Sequence, residues 1–184
     1  MPDATTLGTL TLVPAASALD LVADPVRAAL LAHPDVLDAV RLTAIDPEVS
    51  DTPTLVDVHG VPAEMCANCV VVAGRREGDE RIAACLVLAT TRADVNGVVK
   101  RLLDVRKASF LPMDRAVGET GMEYGGITPV GLPSTWRLLV DSRVAATPLV
   151  LIGSGVRASK LLLPGSAFAA LGAEIVEGLA TPVA

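Results

Sequence analysis

Two apolar runs dominate the hydropathy pattern of this chain. Residues 68–73 and 82–89 are rich in Val, Ile, Leu and Ala with no regular polar alternation, and the charged stretch 74–81 joins them. Runs of that length and composition describe buried strands, and a short polar connection makes the pair a hairpin. A different period follows. Val95, Val98, Val99, Leu102 and Leu103 recur at three and four positions, which predicts a helix over 92–105 beginning near Asp94. Nearer the N-terminus, Asp24 and Pro25 place an acid cap and a proline at the start of a helix that carries Val26, Leu30 and Leu31 to His33, where Pro34 stops it. Asp51, Pro53 and Gly60 frame a second short helix in the same way. His33 and His59 each stand at a helix C-terminus, where a positive charge meets the helix dipole favourably. Residues 36–45 read ambiguously.

The remaining pattern predicts strands at 107–111, 137–141, 148–152, 160–163 and 174–176, with short helices at 112–119 and 165–171. Strands outnumber helices without alternating strictly with them. That pattern predicts an α+β fold, a single domain with a mixed, curved central β-sheet flanked by short helices. Residues 1–35 read as an N-terminal arm and helix, with Leu10 to Val13 as an added edge strand, and residues 36–184 as the body. No internal repeat or linker divides the chain.

A chain of 184 residues can bury roughly two thirds of its unfolded surface around one core. Half of the residues are apolar, yet the aromatics are only Phe110, Tyr124, Trp136 and Phe168, so that core is aliphatic. No apolar run approaches the ~20 residues that cross a bilayer, and a basic leader before a long apolar stretch is missing. The expectation is a soluble, cytoplasmic protein with no membrane partner. Cys66, Cys69 and Cys85 form no disulfide framework, which agrees with a reducing compartment. The net charge of −6 is unevenly spread: residues 1–60 carry −7 and residues 61–184 carry +1. A local basic face around Arg75, Arg76, Arg92, Lys100, Arg101, Arg106, Lys107 and Arg115 is compatible with this, as is an ordinary solvated surface.

Candidate chemistry concentrates in residues 120–133, which place four glycines and two prolines in fourteen positions. Glycine permits close approach of backbone to a ligand and proline fixes φ, so the segment reads as a rigid, open loop that offers main-chain N–H groups. If those of Gly126, Ile127 and Thr128 converge, they suit a carbonyl oxygen or the negative charge that develops on it during ester hydrolysis, where one such donor is worth about 3–4 kcal/mol. A merely tight connection between a helix and a strand has the same composition. Tyr124, beside the loop, suits stacking on a nucleobase, worth ~1–3 kcal/mol, or packing on its own domain. Asp141 suits the orientation of a water or hydroxyl, or the capping of the turn toward Arg143. No nucleophile elbow or dinucleotide fingerprint occurs: Gly153-x-Gly155 lacks the third glycine and the following helix.

Cys66-Ala67-Asn68-Cys69 is a C-x-x-C, but Cys69 enters a strand rather than opening a helix, which is unlike a redox pair. A zinc site would need two further ligands from Cys85, His33 and His59, none of which comes as a second pair at ligand spacing. Structural thiols are the simpler reading.

The chain resembles the YbaK/EbsC family, stand-alone relatives of the editing domain inserted in bacterial prolyl-tRNA synthetases. The resemblance rests on Gly60-Val61-Pro62, the two strands of the hairpin, the helix from Asp94, Lys107, Thr120-Gly121, the Gly125 to Pro129 core of the loop, Leu132-Pro133, Asp141 and the Gly153-Ser154-Gly155 turn, in that order. It implies hydrolysis in trans of the ester that links a wrong amino acid to tRNA. It also implies the aminoacylated 3′ end of tRNA as partner, a transient association with a synthetase, and no cofactor or metal. Carried onto this sequence, it assigns Gly125, Gly126, Ile127, Thr128, Pro129 and Asn68 to catalysis, and Lys107, Tyr124, Asp141, Gly153, Ser154 and Gly155 to substrate binding. One departure stands out. Many members carry a lysine at the start of the strand after Gly-Val-Pro, where this chain has Asn68. Asparagine offers neutral hydrogen bonds, roughly half as strong as charged ones, so a non-catalytic module that binds an aminoacyl group or a tRNA end is the alternative. A redox protein using Cys66 and Cys69 is a third reading.

Overall fold

The structure is a computed structural model that describes residues 5–183. Three two-residue strands come first, β1 (Thr6–Leu7), β2 (Leu10–Thr11) and β3 (Val13–Pro14), followed by α1 (Asp24–Ala32), α2 (Pro34–Ala39), β4 (Arg41–Ala44) and α3 (Thr52–His59). The hairpin β5 (Ala67–Arg76) and β6 (Asp79–Leu88) leads to β7 (Thr91–Ala93) and to a helix whose first turn, Val95–Val99, is π-wound and continues as α4 (Lys100–Leu103). Then come β8 (Ala108–Phe110), α5 (Met113–Thr120), β9 (Arg137–Asp141), α6 (Ser142–Ala146), β10 (Val150–Gly153), β11 (Ser159–Leu163), α7 (Ala167–Ala170), β12 (Glu174–Val176) and β13 (Ala180–Pro182).

The fold is α+β, and its main sheet is mixed. Its order is β12-β9-β6-β5-β8, with β12 and β6 parallel to β9, and β5 antiparallel to both β6 and β8. A second, antiparallel sheet runs β10-β11-β4-β3. A single bridge between Cys66 and Leu151 stitches the two sheets together just where β5 begins. That seam positions the site described below.

The hairpin forms as its hydropathy predicts, in the register Asn68 to Val87 through Arg76 to Asp79. The ambiguous residues 36–45 hold the end of α2, which has Pro34 at its first turn, and then β4, which pairs with β11 and β3. Two expectations need correction. The helix starts at Val95, beside Asp94 as expected, but residues 92 and 93 of the range 92–105 lie outside it, because Thr91, Arg92 and Ala93 pair with residues 180–182 in a two-stranded ribbon. The Asp94 carboxylate then accepts from the Gly97 and Val98 N–H groups, so it is the cap. In α1 the capping position belongs to Ala23, and Asp24 lies inside the first turn, paired with Arg27. His33 does close that helix, its Nδ1 lying 2.9 Å from the Ala29 carbonyl.

The expected arm is woven into the body. β3 is an edge of the second sheet, Leu10 and Leu12 are buried with Leu55, Cys66 and Leu151, and Val26 and Leu30 join Leu42, Leu161 and Phe168 in the main core. Each such fully buried side chain contributes about 1.5–3 kcal/mol. Residue 35 therefore marks no break in packing. Among the described residues no helix is long and apolar enough to cross a membrane.

Candidate active site

A cavity of about 660 Å³ opens at the seam between the sheets. Its walls are the start of β5 (Cys66 to Val71), the N-terminal turn of α3 with Ser50 and Asp51, the end of β8 with the first turns of α5, the glycine-rich loop at Tyr124, Gly125 and Ile127, the end of β10 at Leu151 to Gly153, and Arg157 and Lys160. The volume falls in the range that houses small ligands. The wall is mostly apolar, while Phe110, Met113 and Tyr124 are exposed at its rim. A shallower groove continues past Met113, Tyr124 and Arg157.

The glycine-rich loop is held against the 153–157 turn mainly by backbone hydrogen bonds. The Glu123 N–H donates to the Gly155 carbonyl at 2.8 Å, the Gly155 N–H donates to the Gly126 carbonyl at 2.8 Å, and the Gly126 N–H donates to the Glu123 carbonyl at 2.9 Å. The Glu123 carboxylate adds a bond from the Arg157 N–H at 2.6 Å. Contact is close enough to require glycine: a Cβ on Gly153 would stand 2.6 Å from the Gly126 carbonyl oxygen, and one on Gly126 would stand 2.7 Å from the Val156 backbone. Gly125, on the cavity wall, has φ of +84°, a left-handed step that favours glycine.

The structure gathers Asn68, Tyr124, Gly125, Ile127 and Gly153 around one cavity. It places the other expected residues elsewhere. The Gly126 amide is spent on Glu123, so of the three donors expected to converge it is not one that faces a ligand. Thr128 and Pro129 are buried behind the loop, and Thr128 Oγ1 finds no hydrogen-bond partner among the described residues. Ser154 is buried as well, its hydroxyl donating to the Ser159 carbonyl at 2.9 Å, and Gly155 serves the loop contact just described. Lys107 is exposed next to Ala108, whose partner is Gly74, and the cavity lies at the other end of β5. Asp141 caps α6: its carboxylate accepts from the Arg143 N–H at 3.0 Å, the Arg143 guanidinium at 2.8 Å and the Ala180 N–H at 2.9 Å. Burial alone would push that carboxyl up, but these donors outweigh it and hold it below the usual carboxylate range. Asp141 is a structural residue.

Ile127 is thus the expected donor that lines the cavity, and no bond from its N–H to a described residue forms. On the wall of the same cavity, the Thr52 hydroxyl donates to Asn68 Oδ1 at 2.8 Å. Asn68 is left with its two amide N–H donors to offer. Asp51 is spent as the α3 cap, accepting from the Thr54 N–H at 3.1 Å and its hydroxyl at 2.9 Å, and those bonds hold its pKa below the ordinary value.

Sequence reading missed Lys160, which is only 7% exposed on the cavity wall. Its Nζ donates to the Ser50 carbonyl at 2.6 Å, and burial pushes its pKa down. A signal existed. Lys160 is the one charged residue in Ser159–Leu163, a strand buried along its whole length, and a lone charge in such a run marks a costly burial. The thiols are less reactive than their C-x-x-C spacing suggests. Burial pushes Cys66 up to about 11 and Cys85 up to about 12, and raises Cys69 as well, so all three are protonated at neutral pH. Among the described residues no three His, Cys, Asp or Glu side chains cluster as a metal site.

Residues 46–171 match the aminoacyl-tRNA editing domain profile, more than half of the chain. The chain belongs to the aminoacyl-tRNA editing domain family. Every wall of the cavity lies within the matched residues of this editing domain. Solved structures share its fold. One is a hypothetical protein, APE2540, 22% identical, with a TM-score of 0.67 over 77% of this chain and 91% of that one. Another, whose description proposes a trans-editing enzyme for prolyl-tRNA synthetase, is 19% identical, with a TM-score of 0.69 over 83% of this chain and 93% of that one. No curated protein matches the chain.

Proposed function

We propose that this editing domain is a trans-acting deacylase that hydrolyses the ester of mischarged aminoacyl-tRNA in the seam cavity. The observation that carries the reading is that Asn68 and Ile127 both line one 660 Å³ pocket inside the editing-domain match. The acyl group enters the apolar part of the pocket between β5 and β10, and its carbonyl oxygen accepts from the Ile127 N–H and the Asn68 amide. Water attacks the carbonyl carbon and forms the new C–O bond. The π pair moves to oxygen, then returns and expels the ribose oxygen, which takes the proton that the water gives up. The products are a free amino acid and tRNA with a free terminal hydroxyl. No covalent intermediate is required, which fits thiols kept protonated by burial.

Main-chain donors fixed in place before the reaction favour the transition state because they need no reorganisation as charge develops. Outside the pocket, the exposed rim of Phe110, Met113 and Tyr124 supplies apolar and aromatic faces for the terminal bases. The test is a panel of mischarged tRNAs incubated with the protein and with Gly126→Val, whose side chain would strike the Val156 backbone. Release of amino acid by the wild type that is lost in the variant supports a deacylase. Binding of the tRNA without release would make the protein a non-catalytic module for aminoacylated ends.

A further inference from the structure

Lys160 sits opposite Gly153 in the β10–β11 register. Paired residues of an antiparallel ladder share a sheet face, so Lys160 leaves the sheet on the side from which the Gly126–Ile127 segment presses on Gly153. Leu151 and Leu162 lie two residues away on the same face, packed with Cys66 and Leu55. A Leu or Met would suit that surface better, because an ammonium taken out of water without a carboxylate costs stability. One N–H of Lys160 goes to the neutral Ser50 carbonyl, and no ion pair to it forms among the described residues. The charged and titratable groups around it are the Cys66 thiol, Arg157 and Asp51, and the Asp51 carboxylate is already bound to Thr54. Two of its three donors are left.

We propose that Lys160 is the cation that receives the negative charge forming on the ester carbonyl oxygen during deacylation. This rests on the deacylase reading above. The ammonium gives up no proton. It donates a hydrogen bond to the oxygen while the π pair resides there and releases it when the C=O bond re-forms. Held on a buried part of the wall, a fixed cation acts on the transition state more strongly than it would in solution. Lys160 acts together with the neutral donors of Ile127 and Asn68; of the two cations that line the cavity it is the buried one, while Arg157 is half-buried and bonded to the Pro47 carbonyl.

The experiment is single-turnover deacylation of mischarged tRNA by the wild type, Lys160→Met and Lys160→Arg, with thermal melts alongside. Lys160→Met is expected to lower kcat by about 10²- to 10³-fold with KM nearly unchanged, and to melt no lower than the wild type. Lys160→Arg keeps the charge and restores part of the rate. Wild-type kcat, corrected for spontaneous hydrolysis, falls on the alkaline side as the ammonium is lost, at a pH below the ordinary lysine value; Lys160→Arg lacks that limb. Should Lys160→Met fail to fold, the presence or absence of that limb decides the matter. An unchanged kcat in Lys160→Met, or a raised KM at constant kcat, overturns the inference while leaving the deacylase standing. Failure of the wild type on the whole panel sinks the deacylase and the inference together.

Discussion

At the scale of single residues, the site depends on glycines that let two backbones touch. Gly153→Ala puts a methyl 2.6 Å from the Gly126 carbonyl and shifts the loop that carries Ile127. Displacements of the order of 1 Å cost about 100-fold in catalysis, so kcat for deacylation is expected to fall by 10- to 100-fold, and the melting temperature to fall with it because the atom struck is backbone that must move. Tyr124 is 62% exposed on the rim. Tyr124→Ala is expected to raise KM for tRNA about 5- to 150-fold and to leave turnover at saturation intact, the loss of one stacking contact of ~1–3 kcal/mol. Cys66 and Cys69 have their thiolates suppressed by burial. Cys66→Ser and Cys69→Ser are expected to keep the deacylation rate under reducing and oxidising conditions alike, and a rate that follows the redox state would restore the thiols to the chemistry.

At the scale of elements, capping explains where the helices start and why Asp141 is off the site. Its folded pKa is depressed, so the stability it adds is full above the unfolded value of 3.8 and is lost as pH falls through the folded value. Asp141→Asn is expected to lose about 1–3 kcal/mol at neutral pH and to show a flatter acid limb, which melts between pH 2 and 7 would record. The strongly patterned elements were legible in the sequence. The hairpin β5–β6 reads from two apolar runs, and α3 from its proline, cap and terminal glycine. The strand at 91–93 was not, because its pairing with residues 180–182 is a contact between distant segments that no local pattern encodes.

For the whole molecule, the seam between a mixed and an antiparallel sheet makes the cavity, and no single segment reveals it. Local composition marked the 120–133 loop, but could not tell which of its amides would be consumed by the loop itself: Gly126 is, through Glu123, and Ile127 is not. Nor could it bring Lys160 to the pocket, since that depends on the β10–β11 register. Of the residues the family resemblance named, Asn68, Tyr124, Gly125, Ile127 and Gly153 line the cavity, whereas Lys107 and Asp141 do not. The central claim is that an acylated tRNA terminus lies in the seam with its carbonyl on Ile127. The most direct measurement is a backbone and side-chain amide NMR titration with a non-hydrolysable 3′-aminoacylamido-adenosine. The account predicts large shifts at the Ile127 N–H and the Asn68 side-chain amide, with smaller ones at Gly125 and Tyr124. Saturable binding that leaves Ile127 and Asn68 unmoved while shifting residues away from the seam would contradict it.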